Sequence, residues 1–175
     1  MDNVRRGQYD PGAIVELPAG QITEAAIALT WVNELRQILR LAGHTVIRTR
    51  RDEFDPAPVY RRDDIARAYQ CQRMLSIHCN AASGQASGTE CYYRGAEDQT
   101  IAARLSAHVA NALALPDRGA KTEQSSQHRT LAVMEFERCW LLELGFLDNS
   151  RDRAALLDPN RRAAACRSIA QILVS

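Results

Sequence analysis

Hydrophobic positions recur along the chain at two spacings, and each spacing predicts a different kind of element. Between residues 22 and 42, apolar side chains return every three or four positions, and Gly43 follows where a helix cap belongs, which predicts a long helix. Alternating β-branched residues over 44–50 predict a strand. The same criteria predict further helices over residues 59–72, 98–115 and 161–173, and further strands over residues 74–78, 89–93, 131–134 and 139–144.

Strands that alternate with helices predict an α/β fold, with a twisted, mostly parallel or mixed sheet of about five to six strands flanked by helices. The first twenty residues and residues 117–129 are polar and carry turn signals, so both are predicted to be loops. A length of 175 residues suits one domain spanning 1–175. In such sheets ligand sites form beyond the carboxyl ends of strands, so polar residues there indicate function.

Composition narrows the class of protein. A net charge of +1 and scattered arginines argue against a nucleic-acid partner. No apolar run approaches the ~18 residues of a membrane span, and no signal-peptide core is visible, which predicts cytoplasmic synthesis. Five cysteines without a CxxC pair indicate free thiols. Whether Cys79 and Cys91 pair, and the oligomeric state, are left open.

Glu24 is the first candidate for chemistry. It lies in the first turn of the predicted long helix, on the same face as Trp31 and Leu35. A carboxylate on an apolar face costs free energy unless it is paired or binds a cation. A simpler explanation is that an acid in the first turn stabilises the helix dipole.

His78 and Glu143 are the other two candidates, each at the carboxyl end of a predicted strand. His78 is either a structural histidine or a metal ligand. Glu143 follows an apolar run, where a salt bridge to arginine competes with a role as a general base whose pKa is raised by burial. If the three residues meet, Glu24 and His78 supply zinc ligands and Glu143 takes a proton from water.

Seven short motifs occur in the order found in the family 3 N-acetylmuramoyl-L-alanine amidases, and the chain resembles that family from about residue 10 to about residue 149. The motifs are Asp10-Pro11-Gly12-Ala13, Gly20 with Glu24, Gly43 with Thr49-Arg50, Arg62 with Ser76-Ile77-His78-Cys79-Asn80-Ala81, Gly88-Thr89-Glu90 with Tyr93, Asp117-Arg118-Gly119 with Lys121, and Leu142-Glu143 with Gly145-Phe146 and Asn149.

The resemblance implies hydrolysis of the amide between N-acetylmuramic acid and L-alanine in peptidoglycan. It implies that Glu24 and His78 bind zinc and that Glu143 is the catalytic acid/base. Arg62, Asn80 and Lys121 match family positions, but no substrate-binding role is assigned to them. A phage endolysin made in the cytoplasm, or a bacterial autolysin, acting on the cell wall after release, is the implied setting.

One departure from the family pattern concerns the third zinc ligand. The family places a histidine just before Asp-Pro-Gly-Ala, whereas this chain has none before His44. His108 lies in the middle of a predicted helix, and His128 lies in a predicted loop from which it could approach the cleft. We expect that histidine, and the first strand that carries it, upstream of Met1, so that the domain is incomplete at its N-terminus and its sheet has an unpaired position.

Two other functions compete with the amidase. The absent histidine favours a non-catalytic peptidoglycan-binding pseudoenzyme. An unrelated metal-dependent hydrolase on a similar sheet, such as a peptidase, is the third interpretation, but it leaves the motifs at Asp10 and Asp117 unexplained.

Overall fold

A computed structural model describes residues 9–52 and 54–175, in which five α-helices surround six strands. In chain order the elements are β1 (Ile14–Leu17), β2 (Gly20–Thr23), α1 (Glu24–Leu41), α2 (Arg62–Ala68), β3 (Met74–Asn80), β4 (Thr89–Tyr93), α3 (Gln99–Leu113), β5 (Asp117–Thr122), β6 (Cys139–Phe146), α4 (Ser150–Leu157) and α5 (Pro159–Val174). None of the helices in these two ranges combines the length and the hydropathy that crossing a bilayer requires.

The central sheet has four strands in the order β3, β6, β4, β5, and β1 and β2 form a separate antiparallel hairpin. β3 runs parallel to β6 and β4 runs parallel to β5, while β4 and β6 are antiparallel. The predicted α/β class is therefore confirmed and its sheet is mixed. The described residues contain six strands, four in this sheet and two in the hairpin.

The two faces of the sheet are covered unequally. Side chains alternate between the faces along each strand, and one face packs Cys91, Trp140, Leu142 and Leu144 against α1, α3 and α5 in the main core. The other face carries a smaller core, where α2 and a 3-10 turn at Ala132–Glu135 cover Met74, Cys139 and Leu141. The rest of this second face is left for polar side chains.

The strand predicted over 44–50 is wrong. This segment has no regular hydrogen bonding in the structure, and β3, the strand nearest to it, is an edge strand of the sheet. Between the segment and β3 lies a groove of about 680 Å³. A β-branched sequence forms a strand only when a neighbour pairs with its backbone, and no strand within residues 9–52 and 54–175 pairs with this segment.

Two polar regions that were predicted to be loops contain strands. Residues 14–23 form the β1–β2 hairpin, and residues 117–122 form β5 at the other edge of the sheet. β5 lacks alternating apolar residues because its polar side chains form ion pairs with a neighbouring strand instead of packing in the core. Conversely, the strand predicted over 131–134 is wrong, since this apolar stretch is the 3-10 turn that packs on the smaller core.

The remaining predicted elements are present with modest shifts. α1 begins at Glu24 because the hydroxyl of Thr23 accepts a hydrogen bond from the backbone N–H of Ala26. The predicted helix over 59–72 is α2 preceded by a 3-10 turn at Val59–Arg61, and α4 was not predicted. All five cysteines are free thiols, as expected, and Cys79 and Cys91 are not paired.

A fully buried carboxylate, Asp152, joins α4 to the sheet. Its oxygens accept hydrogen bonds from the Ser87 hydroxyl at 2.6 Å and from the backbone N–H groups of Gly88 and Phe146, each at 2.9 Å. The loop before β4 and the end of β6 are thereby fixed to the same group.

Replacing Asp152 by alanine is expected to lower the free energy of unfolding by about 3 kcal/mol, because it leaves buried N–H donors without an acceptor. Ser87→Ala removes one of the three bonds and is expected to cost only about 1 kcal/mol. Urea unfolding followed by circular dichroism measures both. Equal losses in the two variants would show that the carboxylate does not organise this region.

Candidate active site

Ionisable side chains lie side by side on the partly covered face of the sheet. In the pairing register, His78 of β3 is opposite Glu143 of β6, and Glu143 is opposite Glu90 of β4. Directly opposed residues project from the same face of a sheet. His78 lies two residues before the carboxyl end of β3, as predicted, and β3 changes register just after it. Glu143 lies in the middle of β6, because this strand continues to Phe146 beyond its predicted end.

Glu24 reaches this row from the first turn of α1. Its carboxylate accepts a hydrogen bond from the backbone N–H of Ala13 at 2.8 Å and approaches the backbone N–H of Cys79 at 3.4 Å. Gly12 is required beside it, because a Cβ there would stand 2.3 Å from the Glu24 carboxylate and because the Gly12 φ is +65°. The Asp-Pro-Gly-Ala motif therefore shapes the wall of the site.

His78 is in direct contact with Glu24, since its Nδ1 lies 2.6 Å from a carboxylate oxygen of Glu24. Its Nε2 lies 3.0 Å from the hydroxyl of Ser76. Burial lowers the pKa of His78, but the hydrogen bond and charge of Glu24 outweigh burial and leave that pKa raised. Burial raises the pKa of Glu24, yet the same pairing leaves it lowered. The raised pKa of His78 and the lowered pKa of Glu24 are both those expected of an ion pair between the two side chains.

Glu143 differs from Glu24 because no donor in the described part of the chain satisfies its buried Oε2. Burial raises the pKa of Glu143 to about 7, with His78 opposing the shift and Glu24 and Glu90 adding to it. A carboxyl with this pKa is populated in both protonation states near neutral pH. It has the property required of a group that takes up and returns a proton.

Glu90, the third member of the row, is a feature that sequence reasoning missed. It is 3% exposed and its carboxylate accepts hydrogen bonds from Lys121 at 2.5 Å, Arg118 at 2.6 Å, Tyr92 at 2.8 Å and Asn80 at 2.9 Å. Burial raises its pKa, but these four donors lower it to about 2. The signal for Glu90 in the sequence was a charged residue inside a predicted strand, within a family motif to which no role was assigned.

Two arginines stand on the other side of the Glu24–His78 pair. Arg62 is largely withdrawn from solvent, donates its Nε to the carbonyl of Ala57 at 3.0 Å, and has its pKa lowered by burial and by Arg50. Arg50 donates to the carbonyl of Asp10 at 3.2 Å, and its Nη1 is buried without a partner among the described residues. Both arginines line the groove beside β3.

The donor set of Glu24 and His78 fits part of a zinc site, because carboxylate oxygen and imidazole nitrogen are both ordinary zinc ligands. Across residues 9–52 and 54–175, however, no group of three or more His, Cys, Asp or Glu side chains is placed to hold a metal ion. His44, His108 and His128 are exposed and do not complete the pair. The described residues thus bring together two side chains of ligand type, one fewer than the three ligands usual at a catalytic zinc.

Both the sequence and the fold of this chain match known proteins. The sequence model of the family described as N-acetylmuramoyl-L-alanine amidase matches residues 5–174. The catalytic domain of CwlV, an N-acetylmuramoyl-L-alanine amidase from Bacillus (Paenibacillus) polymyxa var. colistinus, superposes with a TM-score of 0.82 at 25% identity, covering 96% of this chain and 91% of that one.

Two further relatives match over less than half of their own length. Cwp6 from Clostridium difficile superposes with a TM-score of 0.81 at 24% identity, over 96% of this chain and 27% of that chain, and shares the fold. The protein YqiI of Bacillus subtilis (strain 168) is 33% identical over 91 residues. That alignment spans 50% of this chain and 42% of YqiI.

The raised pKa of Glu143 predicts a pH-dependent stability difference. In the folded protein Glu143 keeps its proton up to about pH 7, whereas an unfolded glutamate loses it near its ordinary pKa of 4.5. This carboxyl therefore contributes less to the free energy of unfolding as pH rises through that window. Without metal, Glu143→Gln is expected to be more stable than the natural chain at pH 8, by on the order of 2 kcal/mol, and equally stable near pH 4.

Chemical denaturation at pH 4, 6 and 8 in the presence of a chelator measures this difference. Glu137→Gln, at an exposed glutamate, is the matched control and should show no such trend. A difference between Glu143→Gln and the natural chain that stays constant from pH 4 to pH 8 would contradict the buried, protonated state of Glu143.

Proposed function

The chain belongs to the N-acetylmuramoyl-L-alanine amidase family, and we propose that it hydrolyses the amide bond between N-acetylmuramic acid and L-alanine in peptidoglycan. Family membership, predicted from the seven motifs, classes the chain as an amidase, a hydrolase of amide bonds. The observation that carries the proposal is the row in which the Glu24–His78 pair lies beside Glu143, whose carboxyl is buried and incompletely hydrogen-bonded.

Glu143 is proposed as the general acid/base. As the base it accepts a proton from the water that attacks the scissile carbonyl, and as the acid it donates a proton to the nitrogen of L-alanine as the C–N bond breaks. Its pKa of about 7 matches both steps near neutral pH. Its Oε2 is itself withdrawn from solvent.

Glu24 and His78 are proposed as zinc ligands. Zinc, when bound, polarises the carbonyl and lowers the pKa of water. Ligation requires the neutral imidazole of His78, so metal binding would be coupled to release of the proton that His78 shares with Glu24. Glu24 stays oriented because Ala13 holds its second oxygen.

The groove beside β3 supports the expectation of a third ligand from outside this donor pair. The groove is lined by Asp10, Glu24 and His78, by the edge strand β3 from Met74 onward, and by Leu173. An added strand parallel to β3 would pair with its free edge and end beside Glu24 and His78. We propose that the groove receives such a strand and that its last residue is a zinc-binding histidine.

A second candidate is a peptidoglycan-binding protein without catalysis, favoured by the two-ligand donor set among the described residues. We propose that the amidase acts on the cell wall as a phage endolysin or as a bacterial autolysin. The two candidates differ in whether bound peptidoglycan is cleaved.

Purified cell-wall sacculi, incubated with the chain, a β-branched peptide ending in Gly-His and enough zinc to fill the completed site, are expected to release stem peptides with a free L-alanine amino group and no new reducing sugar ends. Glu143→Gln should lower the rate by about 10²- to 10⁴-fold, the usual contribution of a general acid/base. Glu137→Gln should leave it unchanged. Sacculi that are bound but never cleaved would support the non-catalytic candidate instead.

Zinc binding to this chain is expected to be weak, by on the order of 10²- to 10³-fold relative to a complete site, because one of three ligands is absent from the described donor set. Calorimetry is expected to show that an apolar, β-branched synthetic peptide ending in Gly-His tightens zinc binding. The same peptide ending in Gly-Ala is the control. Tight stoichiometric zinc binding without any peptide would contradict the need for a third donor.

A further inference from the structure

We infer that Arg118 and Lys121 bind the carboxylate of the second residue of the stem peptide, and that they make the site selective for stems in which this carboxylate is free. The inference rests on the proposed function, because it assumes that the scissile amide lies at Glu143. It assigns a role to two cationic side chains that the proposed chemistry does not use.

The first argument is position. Arg118 and Lys121 project from β5 and both bind Glu90, which is directly opposite Glu143 on the adjacent strand. Neighbouring strands are about 4.8 Å apart. The cations therefore lie one to two strand spacings from the proposed acid/base, on the side away from the Glu24–His78 pair.

The second argument is charge. One buried carboxylate, Glu90, is bound by two cations, so the cluster of Glu90, Arg118 and Lys121 has one positive charge in excess. The Glu90 side chain is 3% exposed, whereas Arg118 and Lys121 are 35% and 30% exposed. An ammonium has three N–H donors and a guanidinium has five, so both retain donors for a second anion after binding Glu90.

The third argument is preorganisation. Glu90 holds both cations by short hydrogen bonds, and Arg118 also stacks over the ring of Phe146, 5.1 Å from its centroid. A ligand that meets fixed cations loses less side-chain freedom on binding than one that must order them. Glu90 is thus a positioning residue, and the two cations are the groups that contact the ligand.

The proposed substrate presents a carboxylate at a matching distance. In peptidoglycan, L-alanine is followed by D-glutamate joined through its γ-carboxyl, which leaves the α-carboxylate free unless it is amidated to D-isoglutamine. One residue spans at most about 3.6 Å. The α-carboxylate lies two further bonds along the chain, so it is at most about 7 Å from the scissile nitrogen. With that nitrogen at Glu143, it therefore reaches between one and two strand spacings, to the cations that bind Glu90.

Calorimetry with two synthetic ligands tests the inference without requiring turnover. N-acetylmuramoyl-L-alanyl-D-glutamate is expected to bind the chain about 10-fold more tightly than its D-isoglutamine counterpart, the effect of one charge-assisted hydrogen bond. Lys121→Gln and Arg118→Gln should each reduce this preference to threefold or less. Arg40→Gln, at an exposed arginine of α1, should retain the preference.

A second measurement does not depend on any variant. Lys121 is the only lysine in the chain, so its ammonium gives a single side-chain signal in ¹⁵N NMR. That signal should shift on addition of the D-glutamate ligand and stay in place with the D-isoglutamine ligand. Equal affinity for both ligands would overturn the inference and leave the amidase proposal standing. Binding of neither ligand would also overturn the inference, and cleavage of sacculi then tests the amidase proposal separately.

Discussion

The parallel pairing of β3 with β6 is the constraint on which the candidate site depends. It puts His78 beside Glu143 and, through the antiparallel partner β4, puts Glu143 beside Glu90. Because side chains alternate between faces, the same register sends the apolar residues of these strands into the main core. A slip of one residue would send His78 into that core, so packing of the core and geometry of the site are specified by one set of hydrogen bonds.

The three carboxylates near this row have different protonation states because their surroundings differ. Glu24 is stabilised as an anion by His78, and Glu90 by Arg118 and Lys121. Glu143 lies between these two anions without a cation of its own, so burial and like charge raise its pKa to about 7. Neighbouring groups whose environments move their pKa values apart are the usual means by which one site holds both fixed charges and a proton carrier.

Sequence reasoning predicted the parts of the fold that are determined locally or by burial. α1 has a capped start and a helical apolar spacing, and β4 has the predicted bounds. β3 and β6 are apolar runs that end in a polar residue, which identified His78 and Glu143 as candidates. Their direct pairing, and the Glu24–His78 contact across 54 residues of sequence, required the tertiary structure.

The elements that sequence reasoning missed are those whose conformation depends on a distant partner. β5 pairs with β4, and its polar side chains reach Glu90, a contact without any local signal. Residues 44–50 have a strand-like sequence but face the groove beside β3 instead of a paired strand. An edge strand with unpaired backbone groups is a template for another strand. The failure of this prediction therefore follows from an edge of β3 that the described residues leave unpaired, and the strand that we propose for this position would also supply the third ligand.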